Sequence, residues 1–331
     1  MRAEARAWPR RVTRRLAAGI ALVVVVVSLG ATLQVVPAQA QSLPPIYDRV
    51  PVRPVPANTL ATFGTGEFLE NLAIAPDGTL YVTSYQAGKV YRVTREGQVR
   101  PWASVDGTLA GIVLNPDGSA VLSGWVGGKE PALFAVDPDG RSRVALRLPG
   151  AQFPNGMLRW RDGVVLVADS YRGVIWRADL TQGRADVWLD HDSLARASTD
   201  NPTPAANGIK RHGDAVYVSN TARQLLVKIP VIDGQAGAPE IVQRDLGLDD
   251  FDFDSAGTLY GATHVYNSVV RRSPSGELTV IAGLPQGMAG STAVAYSPAG
   301  GGELFVTTNG GVSMPPPGGV EPGKVVRLRL R

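Results

Sequence analysis

The chain has 331 residues, with 33 Lys and Arg against 29 Asp and Glu, a formal charge of +4. Six of the bases and one acid, Glu4, lie in residues 1–40; beyond them 27 bases face 28 acids, a net of −1, too little positive charge to hold a nucleic acid. With no cysteine and only His191, His212 and His264, disulfide scaffolds, thiolate zinc sites and thiol nucleophiles are excluded.

The N-terminal arginines (Arg2, Arg6, Arg10, Arg11, Arg14, Arg15) precede an apolar run over residues 16–29. The segment ends in Ala38-Gln39-Ala40, the small-x-small pattern of a signal cleavage site. The expectation is an export signal removed after Ala40, which would leave a periplasmic or extracellular protein with no membrane span. Arg14-Arg15 fits the twin-arginine route as well as the general one. An uncleaved anchor is the alternative, because apolar character continues to Val36. Residues 41–57 (QSLPPIYDRVPVRPVPA) are Pro-rich and read as an extended linker.

From residue 58 to 331 the chain repeats itself. Six segments carry an apolar run, a turn with Gly, a second run and a third. The turns are Pro76-Asp77-Gly78, Pro116-Asp117-Gly118, Arg161-Asp162-Gly163, Arg211-His212-Gly213, Ser255-Ala256-Gly257 and Pro298-Ala299-Gly300, with glycines 40, 45, 50, 44 and 43 residues apart. Asp-Gly turns are strong hairpin signals because Gly tolerates positive φ. Repeats of 40–50 residues with up to four short strands predict an all-β, six-bladed β-propeller of four-stranded blades. The last repeat stops at its third strand, and a spare strand-like segment, residues 59–63, precedes the first. That segment is expected to join the last blade and close the ring. Two loop-like insertions, 195–205 and 310–323, are expected to border a ligand site.

Equivalent positions in a propeller converge on its axis. Eight residues before the turn glycine stand Glu70, Ala110, Asn155, Asp249 and Thr292; in the fourth repeat, with its tighter turn, Asn207 lies six before. Glu70, Asn155, Asn207 and Asp249 thus bring two carboxylates and two amides to one channel entrance. Such an all-oxygen set suits Ca²⁺, Mg²⁺ or Mn²⁺. Asn-Gly pairs are also ordinary turn formers, which is the plainer reading of each residue alone. Asn71 and Asp250 flank the set, and His264 follows the LYGAT strand closely enough to approach the entrance. His191 and His212 read as surface residues, and the tryptophans as packing between blades. Asp250, Asp252 and Asp254 would share one strand face; their spacing resembles the start of an EF-hand loop, but Ser255 stands where its Gly and Gly261 where its Glu would be.

The runs Leu69-Glu70-Asn71-Leu72-Ala73, Pro154-Asn155-Gly156, Ala206-Asn207-Gly208-Ile209 and Leu248-Asp249-Asp250-Phe251 resemble the SMP-30/gluconolactonase/LRE-like family over 58–331. Paraoxonase and strictosidine-synthase-like propellers are a more distant likeness. The resemblance implies a divalent cation, Ca²⁺ first with Zn²⁺, Mn²⁺ or Mg²⁺ as alternatives, held by Glu70, Asn155, Asn207 and Asp249. It also implies metal-dependent hydrolysis of a lactone or small ester by a monomeric enzyme, with Asp249, or a water it holds, as the base. The paraoxonase histidine pair is missing, because Leu109-Ala110-Gly111 stands where its first member would fall. The rival expectation is a non-catalytic propeller that binds a ligand or protein around a structural metal.

Overall fold

A computed structural model describes residues 43–330. The expected export signal and its cleavage point lie outside the described residues. Among the described residues there is no α-helix, only three short 3₁₀ turns between strands, and no helix long and apolar enough to cross a membrane.

Each repeat folds into one antiparallel blade. Blade one comprises Leu69–Ile74, Leu80–Ser84, Lys89–Val93 and Val99–Ser104. Blades two to five begin with inner strands Gly107–Leu114, Pro154–Arg161, Ala206–His212 and Phe251–Phe253. Blade six is assembled from both ends of the domain: Ser291–Ser297, Glu303–Thr308 and Pro322–Arg329 pair in turn, and Ala57–Thr65 adds the outer strand. The expected closure by the spare N-terminal segment is therefore present. It joins the start of the domain to its end by ladder hydrogen bonds and leaves no open seam. The six inner strands touch their neighbours in a closed ring, from Leu69–Ile74 round to Ser291–Ser297.

Alternation in the strands decides where the core lies. Leu80, Val82, Leu122, Leu166, Val218 and Phe305 are fully buried. They belong to three of six separate apolar layers, each filled from two adjacent blades. Each fully buried Leu, Val or Phe contributes about 1.5–3 kcal/mol. Side chains pack between blades, so the strand starts along the axis are left for polar groups. The Asp-Gly hairpins behave as expected: Gly78 takes φ 85° and Asp77 Oδ1 accepts from Thr79 N at 2.9 Å. In the sixth turn the positive angles fall on Gly301 and Gly302.

Two readings need correction. Residues 46–56 are not a free linker. Tyr47 is half-buried against blade five and donates to Gly247 O at 3.1 Å, while Pro51, Arg53 and Val55 exchange backbone hydrogen bonds with Val280 and Ile281. The prolines that suggested a linker suit an edge, where not every N–H is needed. His212 is half-buried rather than a surface residue, stacked on Phe253 at 4.8 Å.

Candidate functional site at the channel mouth

The same backbone irregularity opens five of the six inner strands. Pairing with the second strand slips between Leu69 and Leu72, Leu109 and Ile112, Pro154 and Met157, Ala206 and Ile209, and Ser291 and Ala293. A bulge bends the strand and re-aims its side chains. The residues inside the slips include Glu70, Asn155 and Asn207. In blade five, Asp249 N donates to Ala262 O and Ala262 N to Asp250 O at the equivalent place. The two Asn-Gly pairs therefore lie in strands, not turns. Their glycines are needed for close approach: a Cβ on Gly156 would stand 2.2 Å from Asn207 O, and one on Gly208 2.5 Å from Asp250 Oδ1.

A relay of hydroxyls fixes these bulges across blade boundaries. Thr83 Oγ1 accepts from Asn71 N at 3.0 Å and donates to Ala110 O at 2.7 Å. Ser123 Oγ accepts from Gly111 N and donates to Asn155 O at 2.6 Å. Ser219 Oγ accepts from Gly208 N and donates to Asp249 O at 3.0 Å. Each hydroxyl satisfies a donor freed by its own bulge and pins the carbonyl of the next blade's site residue.

Glu70, Asn155, Asn207 and Asp249 are all buried. Asn207 Nδ2 donates to Asp249 Oδ1 at 2.5 Å and to Thr221 Oγ1 at 3.2 Å. Asn155 Nδ2 donates to Ser170 Oγ at 3.2 Å. His264 Nδ1 lies 3.1 Å from Asp249 Oδ2. His264 takes φ 50°, held there by its N–H to Ser291 O. Its Nε2 is 2.9 Å from Asn309 Nδ2. Asn309 Oδ1 accepts from Gly311 N and Val312 N, which fixes its amide with the NH₂ toward the imidazole. Nε2 is then the acceptor, and Nδ1 carries the proton that is donated to Asp249.

Below this pair, Asp250 is gripped by Lys210 Nζ at 2.7 and 2.8 Å and receives Asn71 Nδ2 at 3.4 Å. Asp252 accepts from Tyr296 N at 2.9 Å. Asp254 caps the turn instead, accepting from Ala256 N and Thr258 N. Burial, followed by the charges of Asp249 and Asp250, pushes the Glu70 carboxyl well above its ordinary 4.5. Burial also raises Asp250 and Asp252, against the pull of Lys210. The mouth thus holds more negative charge than Lys210 offsets.

That excess bears on the expected cation. Among the described residues no three His, Asp or Glu side chains close on one ion position. An ion would need the amide oxygens as well. The Glu70 carboxylate and both Asn Oδ1 atoms accept no hydrogen bond among the described residues, whereas the amide nitrogens are engaged. The hard-oxygen set fits a divalent cation by chemistry and charge.

An aromatic arc borders the carboxylates. Phe68, Tyr85, Trp125, Phe153 and Tyr171 meet in succession at centroid distances of 5.6, 5.9, 4.8 and 5.0 Å. Phe68 also meets the His264 ring edge-on at 6.0 Å. Burial, then the neighbouring Glu70 and Tyr171, pushes the Tyr85 hydroxyl up to about 12. Trp125 is therefore more than inter-blade packing. Lys210 and Asn309 carry no sequence signal of their own. Phe68 and Phe153, each two residues before a site residue, and the repeated Ser84-Tyr85 and Ser170-Tyr171 could have announced the arc. Residues 195–205 border the arc, where Tyr171 Oη donates to Pro202 O, and residues 310–323 border the His264 side, where Gly311 N and Val312 N donate to Asn309 Oδ1. A shallow hollow elsewhere, lined by Arg161, Asp162 and Thr181, holds none of this chemistry.

No family model matches the chain. Among solved structures, it is similar to the calcium-binding protein regucalcin from Agrobacterium tumefaciens, with TM-score 0.63 and 16% identity over 84% of this chain and 95% of that one. It is equally similar to a gluconolactonase from Xanthomonas campestris, with TM-score 0.63 and 17% identity over 82% and 89%. The fold is the regucalcin and gluconolactonase propeller. Among curated proteins, one from Sarocladium schorii named as a hetero-Diels-Alderase is 23% identical over 301 residues, 73% of this chain and 75% of its own.

Proposed function

We propose that the protein is a divalent-cation-dependent hydrolase of a lactone or related small ester, acting as a monomer outside the cytoplasm after loss of residues 1–40. The observation that carries the reading is the buried Glu70–Asp249 pair with two unengaged amide oxygens beside it. The resemblance to gluconolactonase supports the substrate class at the level of the fold.

Glu70, Asn155, Asn207 and Asp249 would hold the cation, which when bound supplies a Lewis acid for the ester carbonyl. The other steps belong to the chain. Asp249 accepts the proton of the attacking water. Asn207 Nδ2 and His264 Nδ1–H orient its two oxygens, and Asn309 keeps His264 in the tautomer that donates to it. Lys210 keeps a positive charge beneath the pair through Asp250. The aromatic arc limits water on one side.

The test is turnover of a lactone panel with added Ca²⁺, Mn²⁺, Mg²⁺ or Zn²⁺ and with chelator. Asp249→Ala and Glu70→Ala should each abolish it; unchanged turnover in either variant removes the assignment. A second reading has one specific support, the relative named as a hetero-Diels-Alderase. On that reading Glu70, whose carboxyl is pushed up by burial and by Asp249 and Asp250, would donate a hydrogen bond to an apolar substrate without a metal. Chelator-insensitive cyclisation of a diene substrate, with no lactone turnover, would select it.

A further inference from the structure

The mouth of the channel is divided. Blades four to six and their loops supply Asn207, Asp249, His264 and Asn309. Blades one to three supply Glu70 and Asn155 and, beside them, five aromatic rings in an unbroken series, tilted at Phe68–Tyr85 and edge-to-face at the other three contacts. Trp125 is buried and the other four are half-buried, so each of those four still presents surface. The series meets the reacting groups at Phe68, against His264 of blade five, and at Tyr85, beside Glu70 of blade one.

The arc offers little to a polyol. The Tyr171 hydroxyl donates to Pro202 O and nearby Glu67 Oε1 accepts from Ser84 and Tyr91, so across five rings the arc's own polar atoms left for a ligand are the Tyr85 hydroxyl and Trp125 Nε1. At the far end of the arc from His264, the Arg196 guanidinium sits 4.7 Å over Tyr171. A sugar lactone buried here would leave hydroxyls unpaired, which costs more than a missing apolar contact. A flat apolar group would instead gain ring contacts along its length.

We propose that the five rings form a stacking wall that selects substrates in which a planar aryl or conjugated group is joined to the reacting carbonyl. The inference rests on the reacting group sitting at Glu70 and Asp249, as in the proposed function, but not on hydrolysis itself.

Two probes separate the claims. Dihydrocoumarin is an aryl-fused lactone whose ring reaches the carbonyl through the ester oxygen, and α-tetralone is a benzo-fused ketone of similar size, its carbonyl bonded directly to the ring, with no ester to cleave. By calorimetry α-tetralone should bind, and cyclohexanone should bind at least tenfold more weakly. Phe153→Ala should weaken α-tetralone about ten- to a hundredfold. Phe153→Leu, which keeps most of the volume and protects the fold, should cost about three- to tenfold. Neither variant should change cyclohexanone affinity. Equal affinity for the two ketones, or unchanged α-tetralone binding in both variants, overturns the wall. If the hydrolase reading also holds, kcat/KM for dihydrocoumarin should exceed that for gluconolactone at least tenfold. α-Tetralone binding of the stated pattern with no dihydrocoumarin turnover supports the wall and removes the hydrolase.

Discussion

Asp169 is the single carboxylate on which the aromatic wall depends, and its removal can be worked out from the structure. It is fully buried at the end of blade three's second strand. Its Oδ1 accepts from Phe153 N at 2.9 Å, Tyr171 N at 3.3 Å and Arg172 N at 3.1 Å. Its Oδ2 accepts from Gln152 N at 2.9 Å and Trp176 Nε1 at 3.1 Å. Hydrogen bonds to a charged group are worth about 1.5–3 kcal/mol each, and they do not add. In Asp169→Ala, water can reach the N–H groups of exposed Gln152 and Arg172, but the indole N–H of buried Trp176 is left without a partner. We expect a loss of about 3–5 kcal/mol. Asp169→Asn keeps an acceptor for three backbone donors and turns an NH₂ toward Gln152 N and Trp176 Nε1, so it should lose about 2–3 kcal/mol. Urea unfolding measures both; by heat, Asp169→Ala should fall about 6–15 °C. A loss below about 1 kcal/mol for Asp169→Ala would refute the view that this hub holds the strand ends bearing Phe153 and Tyr171. Trp176→Phe combined with Asp169→Asn should restore part of the loss, because it removes one clashing donor.

Gly208→Ala should lose at least about 3 kcal/mol in urea, because the new methyl meets Asp249 O and the Asp250 backbone as well as its side chain; a stable variant that still binds metal would sink the close-approach argument. Glu70 gives a pH dependence. Its folded-state pKa is raised, so the native state holds a proton that the unfolded chain releases, and metal-free stability falls as pH rises from about 4.5 through the folded value. In chelator, Glu70→Gln should therefore be more stable than the parent at pH 8, with the gap closing toward pH 4; a gap independent of pH contradicts this. Asn309→Leu removes the hydrogen bond to His264 Nε2 and should lower kcat/KM for the best lactone about ten- to a hundredfold with metal affinity unchanged, measured by steady-state kinetics and metal titration.

Much of the architecture is legible along the chain because it follows from local rules. Asp-Gly turns, period-two runs and a 40–50-residue spacing specify hairpins, and identical hairpins can bury their faces only against each other. The in-register positions of Glu70, Asn155, Asn207 and Asp249 are legible for the same reason, since repeats place equivalent residues equivalently. The docked segment at residues 46–56 is not. Its prolines read as a spacer, and only the exposed edge of blade five, more than 220 residues away, gives its backbone partners.

The sequence by itself determined six blades, their closure by the N-terminal strand and the four residues that open the inner strands, because each of these is fixed by local turn chemistry and repetition. Tertiary structure alone decided the chemistry around them. His264 reaches Asp249 from the other end of blade five's first hairpin through a left-handed backbone angle. Asn309, 45 residues later, sets its tautomer. Thr83, Ser123 and Ser219 are ordinary strand hydroxyls until the next blade brings a carbonyl to them. The rings from Phe68 to Tyr171, separated along the chain, become one wall only when blades one to three stand side by side. Bonds between blades depend on which strands become neighbours around the ring, and no spacing within a single repeat encodes that.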